Sequence, residues 1–309
     1  MTGVSLVKIK AEDDGIRLNR WFLREYPSLS LARLQKLLRT KQIKVDGKKA
    51  ETSTRLSAGQ EIRLPPLDNE KAVKEEKVLS PKDLDYIRSM VIYKDKDIII
   101  LNKPSGLAVQ GGTNTTRHID GLLEGLCFEN KEKPKLVHRI DKETSGILVL
   151  ARNRKAAEIL TKGFRDKTIK KTYLALVRGC PDKKEGVIKL PLEKVGEKMT
   201  VTNDGQKAIT EYKVLDCVGK KFALVQASPL TGRTHQIRAH MEAIGAPIAG
   251  DDKYFGKERE HLKNIADKMY LHAYKIDLSV IYGKTMIIKS TLPEYFSEAC
   301  KFLGLEIKE

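Results

Sequence analysis

A segment of mixed charge after two consecutive prolines divides this chain of 309 residues into a small part and a large part. Pro65-Pro66 ends an apolar pattern, and residues 67–80 contain acidic and basic side chains with few apolar ones. Proline stiffens the backbone, and a polar segment buries too little apolar surface to pack as a core. We therefore predict two domains, at residues 12–64 and 83–309, joined by a linker at residues 65–82.

The small N-terminal part contains both helical and strand patterns. Apolar residues recur at helical spacing over residues 16–26 and again over residues 31–38, and the first helix is expected to stop at Pro27. Alternating patterns at residues 43–45 and 61–64 are typical of strands. These patterns predict a compact α+β domain.

Positive charge dominates the composition, with 58 Lys and Arg against 41 Asp and Glu and a formal net charge of +17. Between Ser28 and Lys49 there are seven basic residues and one acidic residue, spread over a helix, a turn and a strand. A solvated helix face is the simple explanation, but one sign of charge across several elements fits phosphate contacts better. The candidate phosphate-binding residues of this domain are Arg33, Lys36, Arg39, Lys41 and Lys44.

Several classes of protein find no support in the sequence. There is no apolar run near the roughly 20 residues that a membrane helix needs, and the N-terminus lacks the apolar stretch of a secretory signal. The four cysteines include no Cys-x-x-Cys pair, so we expect reduced thiols and no metal site. We expect a cytoplasmic monomer with no membrane partner.

The larger part mixes strands and helices without regular alternation, which favours an α+β domain built on a mixed, mainly antiparallel sheet. The segments with strand patterns are residues 91–93, 98–101, 147–151, 172–177, 208–215 and 222–227. The segments with helical patterns are residues 154–164 and 237–244.

One candidate for chemistry is the segment from His138 to Gly146, which precedes an apolar strand. Asp141 is flanked there by Arg139 and Lys142, and neighbouring cations favour the charged form of a carboxylate. A structural Arg–Asp pair at a corner between loop and strand explains these residues equally well.

Two further segments carry polar groups at positions suited to a site. A glycine turn at Gly232 leads into a helix whose first turn contains Arg233, His235 and Arg238, and such a helix N-terminus can bind a phosphate or a carboxylate. A capped helix with charges facing solvent is the alternative. Tyr173 lies in a predicted strand, where it either packs as a half-buried side chain or stacks on a base.

Together these segments resemble the RluA-type pseudouridine synthases, which share the pattern His-Arg-Leu/Ile-Asp-x-x-Thr-Ser-Gly. The likeness extends over most of residues 90–300 and includes Ile100–Leu107 and Gly250-Asp251. It departs mildly at Ile140, where Leu is commoner, and at Ala246, where His is frequent. The N-terminal domain resembles the alpha-L RNA-binding domain of small-subunit ribosomal proteins, which one subgroup of this family carries.

The resemblance implies that the chain isomerises uridines in RNA to pseudouridine without a metal or an organic cofactor. Asp141 would be the nucleophile, attacking either the ribose anomeric carbon or the pyrimidine ring. Tyr173 would stack on the uracil and help to remove a proton, and Arg233 would pair with Asp141. Arg139 would help to displace the target nucleotide. The RNA contacts expected in this domain are His138, Arg139 and Arg238.

The expected partner is RNA, and the subgroup implied by the N-terminal domain points to large-subunit ribosomal RNA or its assembly intermediate. The same chemistry on transfer RNA or another RNA is an alternative. A protein that binds RNA during ribosome assembly without catalysis is another.

Overall fold

The computed structural model describes residues 4–67, 79–112, 115–130, 132–254 and 265–306. The chain divides into two compact units, Met1–Val78 and Leu79–Glu309, and each unit has a hydrophobic core of its own. No helix within the described ranges is long and apolar enough to cross a membrane.

The N-terminal unit combines a three-stranded antiparallel sheet with two α-helices. Its elements in chain order are β1 (Ser5–Lys8), α1 (Leu18–Glu25), α2 (Leu31–Arg39), β2 (Lys44–Val45) and β3 (Glu61–Leu64). β3 lies between β1 and β2. Because β1 pairs with β3 along its whole length, the unit begins before residue 12, where the sequence pattern placed its start.

Local sequence signals account for the two helices of this unit. Ser30 caps α2, since its side-chain oxygen accepts a hydrogen bond from the backbone N–H of Arg33 at 3.2 Å. α1 ends just before the residue that precedes Pro27, a position at which helical backbone angles are disfavoured. Leu34 and Leu38 are buried on one side of α2, so the basic residues between and beside them face solvent.

The larger unit is built on a ten-stranded sheet. Its first elements are α3 (Pro81–Ser89), β4 (Val91–Lys94), β5 (Ile98–Lys103), α4 (Ile119–Leu122), β6 (Lys135–Leu136), β7 (Ser145–Ala151), α5 (Arg154–Arg165), β8 (Lys170–Arg178) and β9 (Glu185–Ile188). The remaining elements are β10 (Leu192–Val195), β11 (Lys198–Val201), β12 (Thr210–Val218), β13 (Phe222–Pro229), α6 (Gln236–Ala243), β14 (Leu271–Asp277), α7 (Ser279–Tyr282), β15 (Ile287–Lys289) and α8 (Glu294–Leu303).

The strand order of this sheet is β4-β5-β7-β14-β8-β13-β12-β9, with β6 beside β7 and β15 beside β14. β7 and β14 are parallel, whereas the other described pairs of the sheet are antiparallel. β10 and β11 form a separate antiparallel hairpin. The α+β class with a mixed, mainly antiparallel sheet is therefore confirmed.

β7 is a fully buried strand in this sheet, and its start fixes the end of the Asp141 segment. Gly146 has a φ of 102°, a conformation that side chains with a Cβ rarely adopt. A Cβ at this position would collide with the carbonyl group of Ala273 in β14. Glycine therefore permits the close parallel pairing of β7 with β14, which sets where the preceding loop leaves the sheet.

The expectation of four reduced cysteines is wrong for two of them. Cys180, just after β8, is joined by a disulfide to Cys217 in β12, while Cys127 and Cys300 are free. β8 and β12 both pair with β13, so the sheet brings together two residues that are 37 positions apart in the sequence.

Candidate active site

The Asp141 loop (residues 137–144) connects β6 to β7 and is held by backbone hydrogen bonds. The amide of Gly106 donates to the carbonyl of Lys142 at 2.9 Å, and the hydroxyl of Ser105 donates to the carbonyl of Glu143 at 2.7 Å. Within the loop, the amide of Thr144 donates to the carbonyl of Asp141 at 3.2 Å. The segment after β5 thus fixes the backbone on which Asp141 lies.

Lys103, at the end of β5, supports the same loop from inside the protein. Its side chain is fully buried, and its ammonium group donates to the carbonyls of Pro104, Leu107 and Lys142 at 2.9, 2.8 and 2.9 Å. Burial lowers the pKa of Lys103 to about 7, against the opposing effect of nearby carboxylates that include Asp141. Lys103 has no predicted role from the sequence, although a lysine that ends an apolar strand and precedes a proline is a visible signal.

Arg238, in α6, is the cation that contacts Asp141. Its Nη1 lies 3.3 Å from Oδ2 of Asp141, while its Nε and Nη2 donate to the two carboxylate oxygens of Asp251 at 2.6 and 2.7 Å. The Arg238 side chain is only 7% exposed and that of Asp251 is 0% exposed, so this bidentate pair is shielded from solvent. Asp251 therefore holds the guanidinium group in the orientation in which it meets Asp141.

The expected pair between Arg233 and Asp141 is not the one that the structure contains. Arg233 is exposed, and its Nε donates to the carbonyl of Lys207 at 3.2 Å. It precedes α6, whereas Arg238 lies inside that helix, where residues 236–241 are all buried, five positions later in the sequence. Arg238, which the sequence placed among the RNA contacts, thus contacts Asp141, and its contact with RNA stays a prediction.

The turn before α6 places the imidazole ring of His235 near the carboxylate of Asp141. His235 has a φ of 50°, in the left-handed region, and its Nε2 lies 4.0 Å from Oδ2 of Asp141. Its Nδ1 lies 3.1 Å from the hydroxyl of Tyr254. Burial lowers the pKa of His235, so the ring is neutral at pH 7. Non-glycine residues in this backbone region are frequent at functional sites.

Tyr173, in β8, lines the same pocket as Asp141. Burial raises the pKa of the Tyr173 phenol, and the negative charge of Asp141 raises it further. The phenol is therefore protonated at neutral pH.

The Asp141 pocket has a volume of about 110 Å³ and is open to solvent. It is lined by Asp141, Tyr173, Arg233, His235 and Arg238, among others. The Asp141 side chain is 29% exposed, so a ligand in the pocket can reach it. No group of three or more His, Cys, Asp or Glu side chains suited to a metal ion occurs among the residues that the structure describes.

Arg139 and His138 have different surroundings although they are neighbours in the sequence. Arg139 is exposed and lines the pocket. The ring of His138 stacks on Phe164 with centroids 4.3 Å apart, and its Nε2 accepts a hydrogen bond from the amide of Val149 at 2.8 Å. Burial lowers the pKa of His138 to about 3, so the ring is neutral and anchors the loop to α5 and β7. A neutral, anchored ring is poorly suited to the phosphate contact that the sequence suggested.

The basic residues predicted to bind RNA in the N-terminal unit lie on and after α2. Arg33, Lys36 and Arg39 are exposed on the helix, Lys41 is exposed just after it, and Lys44 is half-buried in β2. α2 thus presents a row of three cations on the side away from its buried leucines.

A model of the family described as RNA pseudouridylate synthase matches residues 97–243, the part of the chain that contains Asp141, Tyr173 and Arg238. The chain is 39% identical to ribosomal large subunit pseudouridine synthase C of Rickettsia felis over 297 residues, which cover 91% of this chain and 95% of that protein. It is 35% identical to the protein of the same name from Escherichia coli, over 87% of each chain.

A solved structure agrees with the sequence relatives. Human RNA pseudouridylate synthase domain containing 4 superposes with a TM-score of 0.63 at 27% identity, over 73% of this chain and 97% of that chain. These two sequence relatives match along most of both chains, and Asp141, Tyr173 and Arg238 line one open pocket. The chain belongs to the RluA-type family of RNA pseudouridine synthases, which are isomerases.

Proposed function

We propose that this chain converts uridines of large-subunit ribosomal RNA to pseudouridine, with Asp141 as the nucleophile and without a cofactor. The observation that carries the proposal is the contact of Arg238 with Asp141 in an open pocket that also contains Tyr173. The ribosomal substrate is supported by the relatives named ribosomal large subunit pseudouridine synthase C, which match the chain along most of its length.

Arg238 orients the attacking carboxylate. Oδ2 of Asp141 faces the guanidinium group, while Oδ1 has no hydrogen-bonding partner among the described residues and is available to the substrate. A carboxylate oxygen bonds to the ribose anomeric carbon or to the pyrimidine ring, and the bond between N1 and the anomeric carbon breaks. C5 then bonds to that carbon and loses its proton, N1 gains a proton, and the carboxylate is released. The product contains the same atoms as the uridine.

Tyr173 supplies a flat surface to the base. Its pKa is raised by burial and by the charge of Asp141, so the neutral ring can stack on uracil without repelling the carboxylate. Base stacking on aromatic rings contributes about 1–3 kcal/mol. Rotation of the detached uracil requires a surface on which the ring can turn, and stacking meets this need because it has little directional preference.

Positive charge around the pocket and on the N-terminal unit holds the RNA. Arg139 lines the pocket and is exposed, which suits it to displacing the target nucleotide and binding its phosphate. The exposed Arg33, Lys36 and Arg39 on α2 provide further contacts to phosphates. Flipping a nucleotide out of its stack costs a few kcal/mol, which phosphate contacts of this kind offset. Ribosomal RNA as the substrate implies action in the cytoplasm, and no second copy of the chain is required for this pocket.

Pseudouridine mapping of cellular RNA, with and without the gene, tests the proposal. We expect loss of specific sites in large-subunit ribosomal RNA when the gene is deleted, and their return when the wild-type gene is restored. Loss of sites in transfer RNA alone would assign the same chemistry to a different substrate. An unchanged pseudouridine map would contradict the proposed function.

A further inference from the structure

A larger groove lies beside the Asp141 pocket. It has a volume of about 710 Å³ and is lined by the end of α5, the start of β8, the end of β13 and parts of β14 and β15. Lys171, Thr231, Gly232 and Arg233 line both the groove and the pocket, so the two spaces adjoin. We call this space the α5–β8 groove.

Basic side chains outnumber acidic ones in the α5–β8 groove by six to two. The basic residues are Arg165, Lys167, Lys170, Lys171, Arg233 and Lys275. The acidic residues are Glu211 and Asp277, and a carboxylate oxygen of Asp277 accepts a hydrogen bond from the amide of Ser279 at 2.9 Å. Like charges gathered in a concave surface repel one another and raise the local concentration of anions. The groove is therefore suited to an anionic ligand.

The lysines of the groove have no hydrogen-bonded or ion-paired partner among the described residues, although Asp277 lies within electrostatic range of Lys170 and Lys275. Lys171, where the groove meets the pocket, is half-buried, and burial lowers the pKa of its ammonium group. A bound anion would favour the charged form of this lysine. The unpaired ammonium groups are thus free to bind a ligand.

The backbone at Lys167 adopts a conformation for which helix ends usually carry glycine. Lys167 follows the last turn of α5 and has a φ of 61°, in the left-handed region. Helices commonly end with glycine at this position, because glycine adopts that conformation without strain. Strained residues of this kind concentrate at functional sites. A lysine here places a charge at the groove that glycine would not provide.

We propose that the α5–β8 groove binds backbone phosphates of the substrate RNA on one side of the target uridine. This inference rests on the proposed function, since it takes the Asp141 pocket as the site of the flipped base. An RNA strand whose base enters that pocket continues on both sides of it, and the adjoining groove offers a basic path for one side. Lysine ammonium groups bind phosphates without regard to sequence, so the groove adds affinity and orientation and leaves base selection to other contacts.

The test replaces Lys167, Lys170 and Lys275 by Gln in the full chain and leaves the residues shared with the Asp141 pocket intact. Binding to transcribed large-subunit ribosomal RNA is measured over a range of KCl concentrations. Each lost contact to a single-stranded phosphate lowers the slope of log K against log[KCl] by about 0.7, so we expect a slope smaller by about 2. In the pseudouridine assay KM rises, while kcat stays close to that of the wild type.

A control of equal charge separates the groove from overall electrostatics. Lys155→Gln, Lys220→Gln and Lys301→Gln remove three exposed lysines that do not line the groove. The proposal is overturned if the groove variant changes the salt dependence and KM no more than this control does. The binding measurement is repeated in an Asp141→Asn background. If the wild type forms no pseudouridine, the proposed function fails, and the salt slopes still decide whether the groove binds RNA.

Lys167→Gly provides a second test with a variant that is expected to fold. Glycine relieves the left-handed backbone at this position, so the temperature of unfolding does not fall. We expect a weaker affinity for the RNA and a salt slope lower by about 0.7. Unchanged binding by Lys167→Gly would contradict the proposal that Lys167 binds phosphate in the α5–β8 groove.

Discussion

Asp251→Asn tests whether the buried acid positions Arg238 for its contact with Asp141. In the wild type both oxygens of Asp251 accept hydrogen bonds from Arg238, at 2.6 and 2.7 Å, and neither side chain is more than 7% exposed. Asparagine replaces one oxygen by an NH₂ group, whose hydrogens would face the N–H groups of the guanidinium. One hydrogen bond is then lost and the other is no longer made to a charged acceptor.

The loss of stability follows from these two bonds. Hydrogen bonds to charged groups contribute about 1.5–3 kcal/mol each, so we expect the free energy of unfolding to fall by about 3 kcal/mol. In a domain of this size 1 kcal/mol changes Tm by about 2–4 °C, which gives a decrease of about 6–12 °C. Asp141→Asn removes one contact at 3.3 Å from a side chain that is 29% exposed, and it is expected to cost less than about 1 kcal/mol.

The double variant tests whether Asp141 and Asp251 stabilise Arg238 together or independently of each other. With Asp141 and Asp251 both replaced by Asn, Arg238 loses both of its carboxylate partners. A buried charge without a partner is strongly destabilising, so the double variant should lose at least about 1 kcal/mol more than the sum of the single variants. Urea denaturation of the four proteins measures this coupling.

Turnover gives the functional result. A misplacement of about 1 Å at a reacting group can lower the rate by about 10²-fold, so Asp251→Asn is expected to lower kcat by about 10–100-fold with little change in KM. Glu242→Gln, an exposed acid on the same helix as Arg238, is the matched control and should leave kcat and Tm unchanged. If Asp251→Asn were as stable and as active as this control, the reasoning about Arg238 would be refuted.

Lys103 and His138, which hold the Asp141 loop, and the basic residues of α2 can each be tested by substitution. Lys103→Met leaves the carbonyls of Pro104, Leu107 and Lys142 without this donor and should lower kcat by about 10-fold or more. Lys96→Met replaces an exposed lysine and should leave kcat unchanged. Equal kcat values for the two variants would show that other contacts hold the Asp141 loop. Burial lowers the pKa of His138 to about 3 in the folded state, whereas the pKa is about 6.5 in the unfolded state. As the pH falls below 6.5, only the unfolded chain binds a proton at this residue, so the free energy of unfolding decreases. From pH 7 to pH 5 this residue lowers the free energy of unfolding by up to about 2 kcal/mol. His138→Gln should remove this pH dependence while keeping an acceptor for the amide of Val149. If the free energies of unfolding of the two proteins fell equally between pH 7 and pH 5, this explanation would be wrong. Replacing Arg33, Lys36 and Arg39 by Gln should lower the salt slope of RNA binding by about 2 without changing Tm, and an unchanged slope would remove α2 from the RNA-binding surface.

The sequence predicted the elements with strong local patterns. Helix α2, the buried strand β7 and the amphipathic helix α5 all occur close to where the apolar patterns placed them. β1 and β14 were not identified, because both are defined by their pairing with strands far away in the sequence. The same reason explains the disulfide, whose two cysteines meet only once β13 has paired with both neighbouring strands.

The sequence identified several residues that line the pocket, but it did not identify which of their side chains contact each other. Asp141 and Tyr173 line one pocket, and the roles that the resemblance implied for them stay predictions. Arg233 lies exposed in the turn before α6, whereas Arg238 lies in the buried part of that helix, and this difference in burial comes from tertiary packing that local sequence does not reveal. The supporting roles of Lys103 and Asp251 arise from burial, which follows from the packing of distant elements and not from local sequence.

Pseudouridine formation by Asp141→Asn tests the central claim most directly. The substitution keeps the size of the side chain but removes the nucleophilic carboxylate, so we predict loss of detectable pseudouridine on transcribed large-subunit ribosomal RNA with retained RNA affinity. Glu143→Gln, an exposed acid in the same loop, should keep wild-type turnover. Turnover by Asp141→Asn comparable to that of Glu143→Gln would contradict the assignment of Asp141 as the nucleophile.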